Sequence, residues 1–458
     1  MDPQEPSTSY NRAAFEIISS QRGKPLLLRA GYRYDIKRKN KNKSTVWRCV
    51  KREICQAILI ITCANSIKRE DNHNCQPDTT KNECDIEMDG CQKKIINDVA
   101  LPIPAIFRET IGSLKDKGLD LIKNLPEFKN IKNKFYRKRN KSLGVDKVWF
   151  KNVSKVSIPP KFQNFLFADY CSKNRILIFA SKLARNLFCN TNYTVLCDGT
   201  FKFCAKPFYQ LYTLHVDIGS SKTKINIVPV IYALLPNKTE KTYEIMLRLI
   251  KSQIPDWTPK TFILDYEKAV MQAIKSVFPN TPISGCYFHF SRCLWRKAKK
   301  LGIHKSKLIK KHIRKCTALA LLPRHAVDDA FLHIMARSPN NDQVTKFNDY
   351  FVETWLTETA FFHDKWCCYD QKHRTTNIVE SWHATVNKKG YQKPQSIAHF
   401  LTDLQREANY YDTLVKKGSN IYQKKKETQE IDDYIEHVLK DFVDSEISVG
   451  MCLELLVF

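Results

Sequence analysis

The chain divides by its hydrophobic pattern before any single residue stands out. From Phe15 to Ile61 short β segments alternate with turns, at Lys24 to Arg29, Tyr32 to Ile36, Val46 to Val50 and Ala57 to Ile61, interrupted by the charged run Lys37 to Lys43. Beyond Cys75 the residues turn polar and acidic, and the stretch to about Asp98 reads as a linker. Residues 106 to 123 carry a weak helical periodicity. From Tyr193 onward, apolar β-branched runs predict three closely spaced strands, Tyr193 to Phe203, Phe208 to Asp217 and Ile225 to Leu235, an antiparallel meander. A helix (Thr242 to Ile254), a buried strand (Thr261 to Asp265), a helix (Glu267 to Phe278) and a strand (Ile283 to Phe288) follow. Residues 291 to 360 lack strand signals and read as helices, and the apolar ending Val449 to Phe458 reads unlike the helix before it.

Three strands followed by alternating helix and strand is an α/β order, the order of a ribonuclease H-like sheet. At 458 residues the chain has room for roughly three domains. Hydrophobic residues at 43% and aromatics at 11% supply enough apolar surface for packed cores. Lys and Arg number 75 against 47 Asp and Glu, and the net charge of +28 makes nucleic acid or another polyanion the expected partner. The longest apolar candidate, Ala57 to Ala64, falls far short of the ~20 residues that cross a bilayer, so no membrane role is expected. Met1 to Tyr10 lacks the basic start and apolar run of a secretory signal, which places the protein inside the cell. There, 16 cysteines are expected as core thiols or metal ligands rather than disulfides.

Four ligand-type residues gather in the first β-rich segment. Cys49 and Cys55 are followed by His73 and Cys75, and soft thiolates with an imidazole suit tetrahedral zinc. A structural ion would add ~10 kcal/mol of folding free energy to a segment with little core. The plainer alternative is buried core thiols with an exposed His73. Cys63, Cys84 and Cys91 have no evident partner.

Three carboxylates form a second constellation. Asp198 closes the apolar run Val195-Leu196-Cys197, and Asp265 closes Phe262-Ile263-Leu264. A charge at the end of a buried strand needs a compensating group. On adjacent strands the two would converge, and a divalent cation would relieve their repulsion. Glu380, in Thr375-Thr-Asn-Ile-Val-Glu-Ser-Trp-His383, can reach the same sheet edge from a helix start. Three acids could hold two ions about 3.5–4 Å apart, suited to phosphodiester displacement. The alternatives are strand-end acids bonded to loop amides, and a capping box from Asn377 to Glu380.

Both constellations lie in recognisable sequence. Gly31-Tyr-Arg-Tyr34, Trp47-Arg-Cys49, Cys55-Gln-Ala57 and Asp71-Asn-His73-Asn-Cys75 resemble a FLYWCH-type zinc finger over residues 15 to 77. In that family the last two ligands are usually both histidine, and here Cys75 stands in the second place. Cys197-Asp-Gly-Thr-Phe201, Pro207-Phe-Tyr-Gln-Leu211, Val228-Pro-Val-Ile-Tyr232, Leu234-Leu-Pro-Asn-Lys238, Leu264-Asp-Tyr-Glu267 and Gly285-Cys-Tyr-Phe-His289 resemble a MULE (Mutator-like element) transposase domain over about 193 to 385. The resemblance implies a DDE transposase with Asp198, Asp265 and Glu380 as its acids, binding Mg²⁺ or Mn²⁺, and DNA binding by the zinc finger. Cys286 and His289 match the family's Cys-x-x-His motif, either as a metal site with Cys293 and His383 as conceivable partners, or as a buried thiol beside a histidine.

The expected architecture is therefore α/β, a ribonuclease H-like DDE transposase core with a helical insertion, preceded by a small β-rich zinc-binding domain. Its divisions are a flexible N-terminus (1–14), the finger (15–77), a linker and basic helical segment (78–155), the first part of the core (156–290), the insertion (291–370), the final core helix (371–415) and a helical tail (416–458). Residues 129 to 155 hold ten Lys or Arg against the single Asp146, and ten more without an acid lie between Arg296 and Lys315. Such clusters suit phosphate contacts with strong salt dependence. The cluster Lys134-Phe-Tyr-Arg-Lys-Arg-Asn-Lys141 also suits nuclear import. Double-stranded DNA, as element terminal repeats and target, is the expected partner, with a homodimer or higher oligomer bringing two ends together. The alternatives are a domesticated copy that binds DNA or regulates transcription without catalysis, and a decayed copy.

Overall fold

The computed structural model describes residues 15–20, 23–98, 101–118, 121, 123, 125–142, 152–188, 192–357, 363–389 and 397–457. The chain forms two compact units, Met1–Asp146 and Lys147–Phe458.

The first unit opens with six antiparallel strands paired in chain order. They are β1 (Glu16–Ser19), β2 (Pro25–Arg29), β3 (Tyr32–Lys39), β4 (Thr45–Cys49), β5 (Ile58–Ile61) and β6 (Ile67–Glu70). Alternation along β2 to β5 turns Leu27, Tyr34, Trp47 and Leu59 into one core. The two edge strands lie outside the sequence reading. β6 is Ile-Lys-Arg-Glu, a charged edge with one apolar residue, so it carries no strand pattern. The run Lys37 to Lys39 continues β3 rather than interrupting the sheet.

Gly31 makes the exit from this sheet possible. It sits at φ +79°, and a Cβ there would meet the Pro77 side chain at 2.7 Å. Its carbonyl accepts the Asp78 N–H at 2.9 Å. Asp78 then caps a helix, accepting from Lys81 N at 3.0 Å. That helix, Thr79–Asn97, replaces the expected linker. Its apolar stripe is built from Cys84, Met88, Cys91 and Ile95, at helical spacing, and two of the four are cysteines that a hydrophobic reading passes over. Cys91 and Ile95 pack on Ile103, Ile106 and Phe107 of the helix Ile103–Lys117 and on Phe135 of the helix Phe128–Ser142. Two members of the basic cluster are consequently structural. Phe135 is buried, and the buried Arg139 donates to the carbonyls of Ile95, Asp98 and Leu101 at 2.9, 3.1 and 2.9 Å. Residues 143–151 of that basic segment lie outside the described residues.

The second unit is built on a seven-stranded mixed sheet. Its strands are β7 (Leu166–Tyr170), β8 (Ile176–Phe179), β9 (Thr194–Thr200), β10 (Gln210–Asp217), β12 (Ile227–Leu235), β13 (Thr261–Leu264) and β14 (Ile283–Gly285), in the order β14-β13-β9-β10-β12-β8-β7. A two-residue β11 (Lys224–Ile225) pairs separately with β15 (Tyr422–Gln423). β9, β10 and β12 form the antiparallel meander, and β13 and β14 run parallel to β9. This is the ribonuclease H-like order, lengthened on one side by β7 and β8. Every residue of β10 and β12 is buried, as expected where both faces of a sheet are covered.

The predicted strand Ile283 to Phe288 stops at Gly285. A helix starts at Tyr287 and runs to Lys300, so Phe288 and His289 belong to its first turn. Helices then dominate to residue 351, around a core that includes Phe290, Phe351, Trp355 and Trp366. The apolar C-terminal segment joins this core: Cys452, Leu453 and Leu456, in and beside the helix Val449–Leu455, are buried there. Its pattern differs from the preceding helix because it faces the core over only about two turns.

Candidate functional site

The first site lies at the edge of the small sheet. Cys49 ends β4, Cys55 sits in the turn after it, and His73 and Cys75 follow β6. Their ligand atoms all lie within 4.8 Å of one another, and among the described residues this is the metal-type cluster. The sulfurs of Cys49 and Cys75 are 3.7 Å apart, and His73 Nδ1 is 3.4 Å from Cys55 Sγ and 3.7 Å from Cys75 Sγ. Tetrahedral zinc, with Zn–S near 2.3 Å and Zn–N near 2.0 Å, requires edges of about 3.8 and 3.5 Å. The four residues therefore fit zinc, and the alternative of an exposed His73 fails.

The surrounding groups suit the same purpose. His73 stacks on Tyr32, with centroids 3.6 Å apart and planes 7° from parallel. Its Nε2 is 2.7 Å from the Tyr34 hydroxyl. With Nε2–H donating to Tyr34, Nδ1 is left with its lone pair toward the thiols. Burial lowers the His73 pKa and keeps the ring neutral, as a ligand must be. Burial opposes the Cys55 thiolate, but the N–H groups of Ala57 and Asn74 at its sulfur, together with the Cys75 and Cys49 thiols, outweigh burial and bring that pKa down. Burial dominates at Cys49 and raises its thiol. Cys63 is exposed, while Cys84 and Cys91 are buried in the helical part of the unit.

The second site lies at one end of the large sheet. The parallel register Phe262↔Val195 and Ile263↔Leu196, carried on two residues, sets Asp265 beside Asp198. Because side chains alternate, both acids share the face on which Leu196 and Ile263 pack against Val379. Val379 belongs to the helix Asn377–Lys389, and Glu380 is its neighbour. The capping-box reading of Glu380 fails on position: Asn377 is already the first helical residue, so Glu380 is one place too far along.

Each acid has a distinct environment. Asp198 Oδ1 accepts from Gly199 N at 2.8 Å, and Oδ2 is 3.1 Å from His383 Nδ1. Burial first, and then the nearby Asp198 charge, hold the Asp265 carboxyl above its ordinary range. Glu380 Oε1 is buried and lies 3.3 Å from His289 Nε2, yet too poorly aligned for a hydrogen bond, so it has no hydrogen-bond partner. The three carboxylates do not close to the spacing of the zinc-type cluster. A pair of ions about 3.5–4 Å apart spans more than one ion does, and the orphaned Glu380 oxygen and the elevated Asp265 are what hard cations would satisfy.

Cys286 and His289 sit beside these acids rather than in a metal cluster of their own among the described residues. Cys286 Sγ accepts from Thr376 N at 3.3 Å, tying the end of β14 to the start of the Glu380 helix. Burial works against a charged His289, but Cys286, Asp265 and Glu380 around it raise its pKa. Of the conceivable extra partners, Cys293 instead accepts from Arg296 at 3.2 Å, and His383 bonds to Asp198.

Several residues contribute through contacts that the sequence does not show. His383 Nε2 is 3.1 Å from Thr213 Oγ1, which is 3.1 Å from His215 Nε2, a buried chain behind Asp198. Glu267 accepts from the Tyr243 hydroxyl at 3.1 Å, and burial and then Asp265 raise its pKa. The segment before the Glu380 helix is held at each step. Gln371 bonds Ser284 at 2.8 Å, His373 and Lys372 reach Asp217 at 2.8 and 3.0 Å, Arg374 pairs with Asp432, and the Arg374 carbonyl accepts from Tyr287 N at 2.8 Å. Only the motif around Glu380 marks that region in the sequence.

Outside the site, the basic run from Arg296 to Lys315 is amphipathic. Lys311 and Lys315 hold Glu454 at 2.6 and 2.5 Å, whereas Arg296, Lys299, Lys300, Lys305 and Lys307 are exposed. No helix among the described residues is long and apolar enough to cross a membrane.

Comparison with known families covers Asp198 and Asp265 of one site and Cys49, Cys55 and His73 of the other. Residues 194–292 match the MULE transposase domain, and residues 17–74 match the FLYWCH zinc finger domain. A search of curated proteins finds no match.

Proposed function

We propose that this chain, carrying a MULE transposase domain and a FLYWCH zinc finger, is a DNA transposase that binds element ends and catalyses metal-dependent strand cleavage and transfer. The observation that supports it best is the register setting Asp198 beside Asp265 on adjacent parallel strands, with Glu380 next to the Val379 that packs on that face and 3.3 Å from His289, which Asp265 also influences. Asp198, Asp265 and Glu380 would hold Mg²⁺ or Mn²⁺, and their hard oxygen donors fit such ions. Ions held there would supply activation of the attacking oxygen and stabilisation of the leaving one.

The chain's own residues fix the geometry. β9 and β13 hold two acids in register, His383 restrains one oxygen of Asp198, and the tethered segment 371–376 delivers Glu380. In the first step water attacks a phosphodiester and releases a 3′ hydroxyl. In the second that hydroxyl attacks the target phosphodiester, so one bond forms as one breaks and no covalent enzyme intermediate is needed. The exposed lysines of residues 296–307 supply phosphate contacts. Such work on chromosomal DNA would be done in the nucleus, and joining two ends would call for at least a dimer.

The test is Asp265→Asn in the full chain, on DNA carrying the sequences on either side of the reading frame. The variant should bind this DNA as the parent does and lose cleavage by several orders of magnitude. Equal cleavage by parent and variant would remove Asp265 from the site.

A further inference from the structure

The sheet topology brings more than the acids to one end. β9 and β13 run parallel and end at Thr200 and Leu264, while antiparallel β10 begins at Gln210 and β12 ends at Leu235, all at the same end. The loop 201–209, the turn after β12 with Lys238, and the Asp265 loop therefore share that end. Tyr209 N donates to the Leu235 carbonyl at 2.8 Å, which anchors the loop 201–209 directly over β12. Phe201 lies only three residues beyond Asp198, at most about 11 Å along the chain.

Two rings in this loop remain uncovered. Phe201 is 53% exposed and Tyr209 is 48% exposed, and they meet edge to face with centroids 5.3 Å apart. The neighbouring Phe203 and Phe208 are buried, so the loop has an interior side and this pair is on the other. Lys202 and Lys206, in the same loop, are exposed too. On the helix that follows β14, at the same sheet end, Phe288 is exposed with the Arg292 guanidinium 5.4 Å from its ring. Large rings left in water cost free energy unless something covers them, and flanking cations identify a polyanion bearing flat apolar faces.

We propose that Phe201 and Tyr209 form a stacking platform for an unpaired nucleotide of single-stranded DNA next to the phosphodiester acted on by the acids. This rests on the DNA-acting reading above and adds the state of the substrate: bases beside the reacting bond leave the duplex and stack on the protein. The lysines hold the backbone on either side. Stacking on an aromatic ring is sequence-tolerant because every base has a π face, so the platform serves melting of the end rather than its recognition.

The test uses the full chain without divalent cations, and two DNA probes: a duplex with a short single-stranded extension carrying 2-aminopurine, and the same duplex with blunt ends. The parent should bind the extended duplex more tightly and quench 2-aminopurine. The double variant Phe201→Ala, Tyr209→Ala should lose roughly 5- to 150-fold in affinity for the extension per base unstacked, with blunt-duplex affinity unchanged. Phe201→Tyr and Tyr209→Phe keep the rings and should keep both preference and quenching. A double variant that retains the preference, or loses blunt and extended affinity alike, overturns the platform. So does a parent that binds both duplexes equally without quenching. A parent that binds neither overturns the DNA-acting reading and the platform with it.

Discussion

The hydroxyl of Tyr34 offers a sharp test of the zinc site because one atom can be removed without disturbing the packing. Tyr34 is 1% exposed and its hydroxyl is 2.7 Å from His73 Nε2, while the ring packs in the sheet core with Leu27, Trp47 and Leu59. Tyr34→Phe keeps the ring and leaves the His73 N–H without its acceptor. An unpaired polar group in such a place costs about 1–3 kcal/mol. Loss of the partner that orients a metal-bound imidazole typically weakens metal binding about 10- to 100-fold, about 1.4–2.7 kcal/mol, so two independent arguments agree. Tyr32→Phe is the control: stacking on His73 at 3.6 Å depends on the ring alone, and affinity should stay within about threefold. The assay is competition between protein and a chromogenic chelator for zinc at neutral pH, with one ion per chain lost in Cys55→Ser. A Tyr34→Phe protein that holds zinc as tightly as the parent would refute the argument.

Three further outcomes follow from the large sheet. His383→Ala frees Asp198 Oδ2 from its 3.1 Å partner and should slow cleavage by about 10- to 100-fold, with His383→Asn recovering part of it, while thermal stability separates this from general damage. Asp217→Ala removes a buried carboxylate (side chain 7% exposed) from His373 and the half-exposed Lys372. Broken buried pairs cost about 3–5 kcal/mol, and discounting for the exposed lysine leaves about 2–4 kcal/mol, a fall in Tm on the order of 5–10 °C by calorimetry. Burial opposes the Asp217 charge, but His373, Ser220 and Lys372 outweigh it and hold the pKa far below the carboxylate range. The contribution is therefore complete above about pH 4 and lost as pH falls through the depressed value, so parent and variant should converge only in strong acid.

How much of this was legible in the sequence depended on whether the information was local. Four central strands of the small sheet and the whole β9-β10-β12 meander follow from β-branched and apolar runs. The edge strand β6 and the helix Thr79–Asn97 do not, one because charge masks it and the other because cysteines form half of its buried stripe. Cys49, Cys55, His73 and Cys75 stood out by type and spacing, since a chelate must be built from a few recognisable side chains. Tyr32 and Tyr34 stood out only as part of the Gly31-Tyr-Arg-Tyr34 motif; their contacts with His73 did not, because a stacking or hydrogen-bonding partner can come from any strand. Likewise Asp198 and Asp265 were visible as acids ending apolar runs, but the register that pairs them is set by sheet order. His383 holds Asp198, and Asp217 holds His373, through contacts 185 and 156 residues apart, for which no local period exists.

The central claim is that Asp198, Asp265 and Glu380 form one divalent-cation site at a sheet end. Electron paramagnetic resonance of Mn²⁺ titrated into the full chain, and into Asp198→Asn, Asp265→Asn and Glu380→Gln, reads that site without any need for turnover. The account predicts Mn²⁺ bound by the parent and weakened at least about tenfold by each substitution, with zinc content unchanged in all four. Equal Mn²⁺ binding by the parent and the three variants would contradict it.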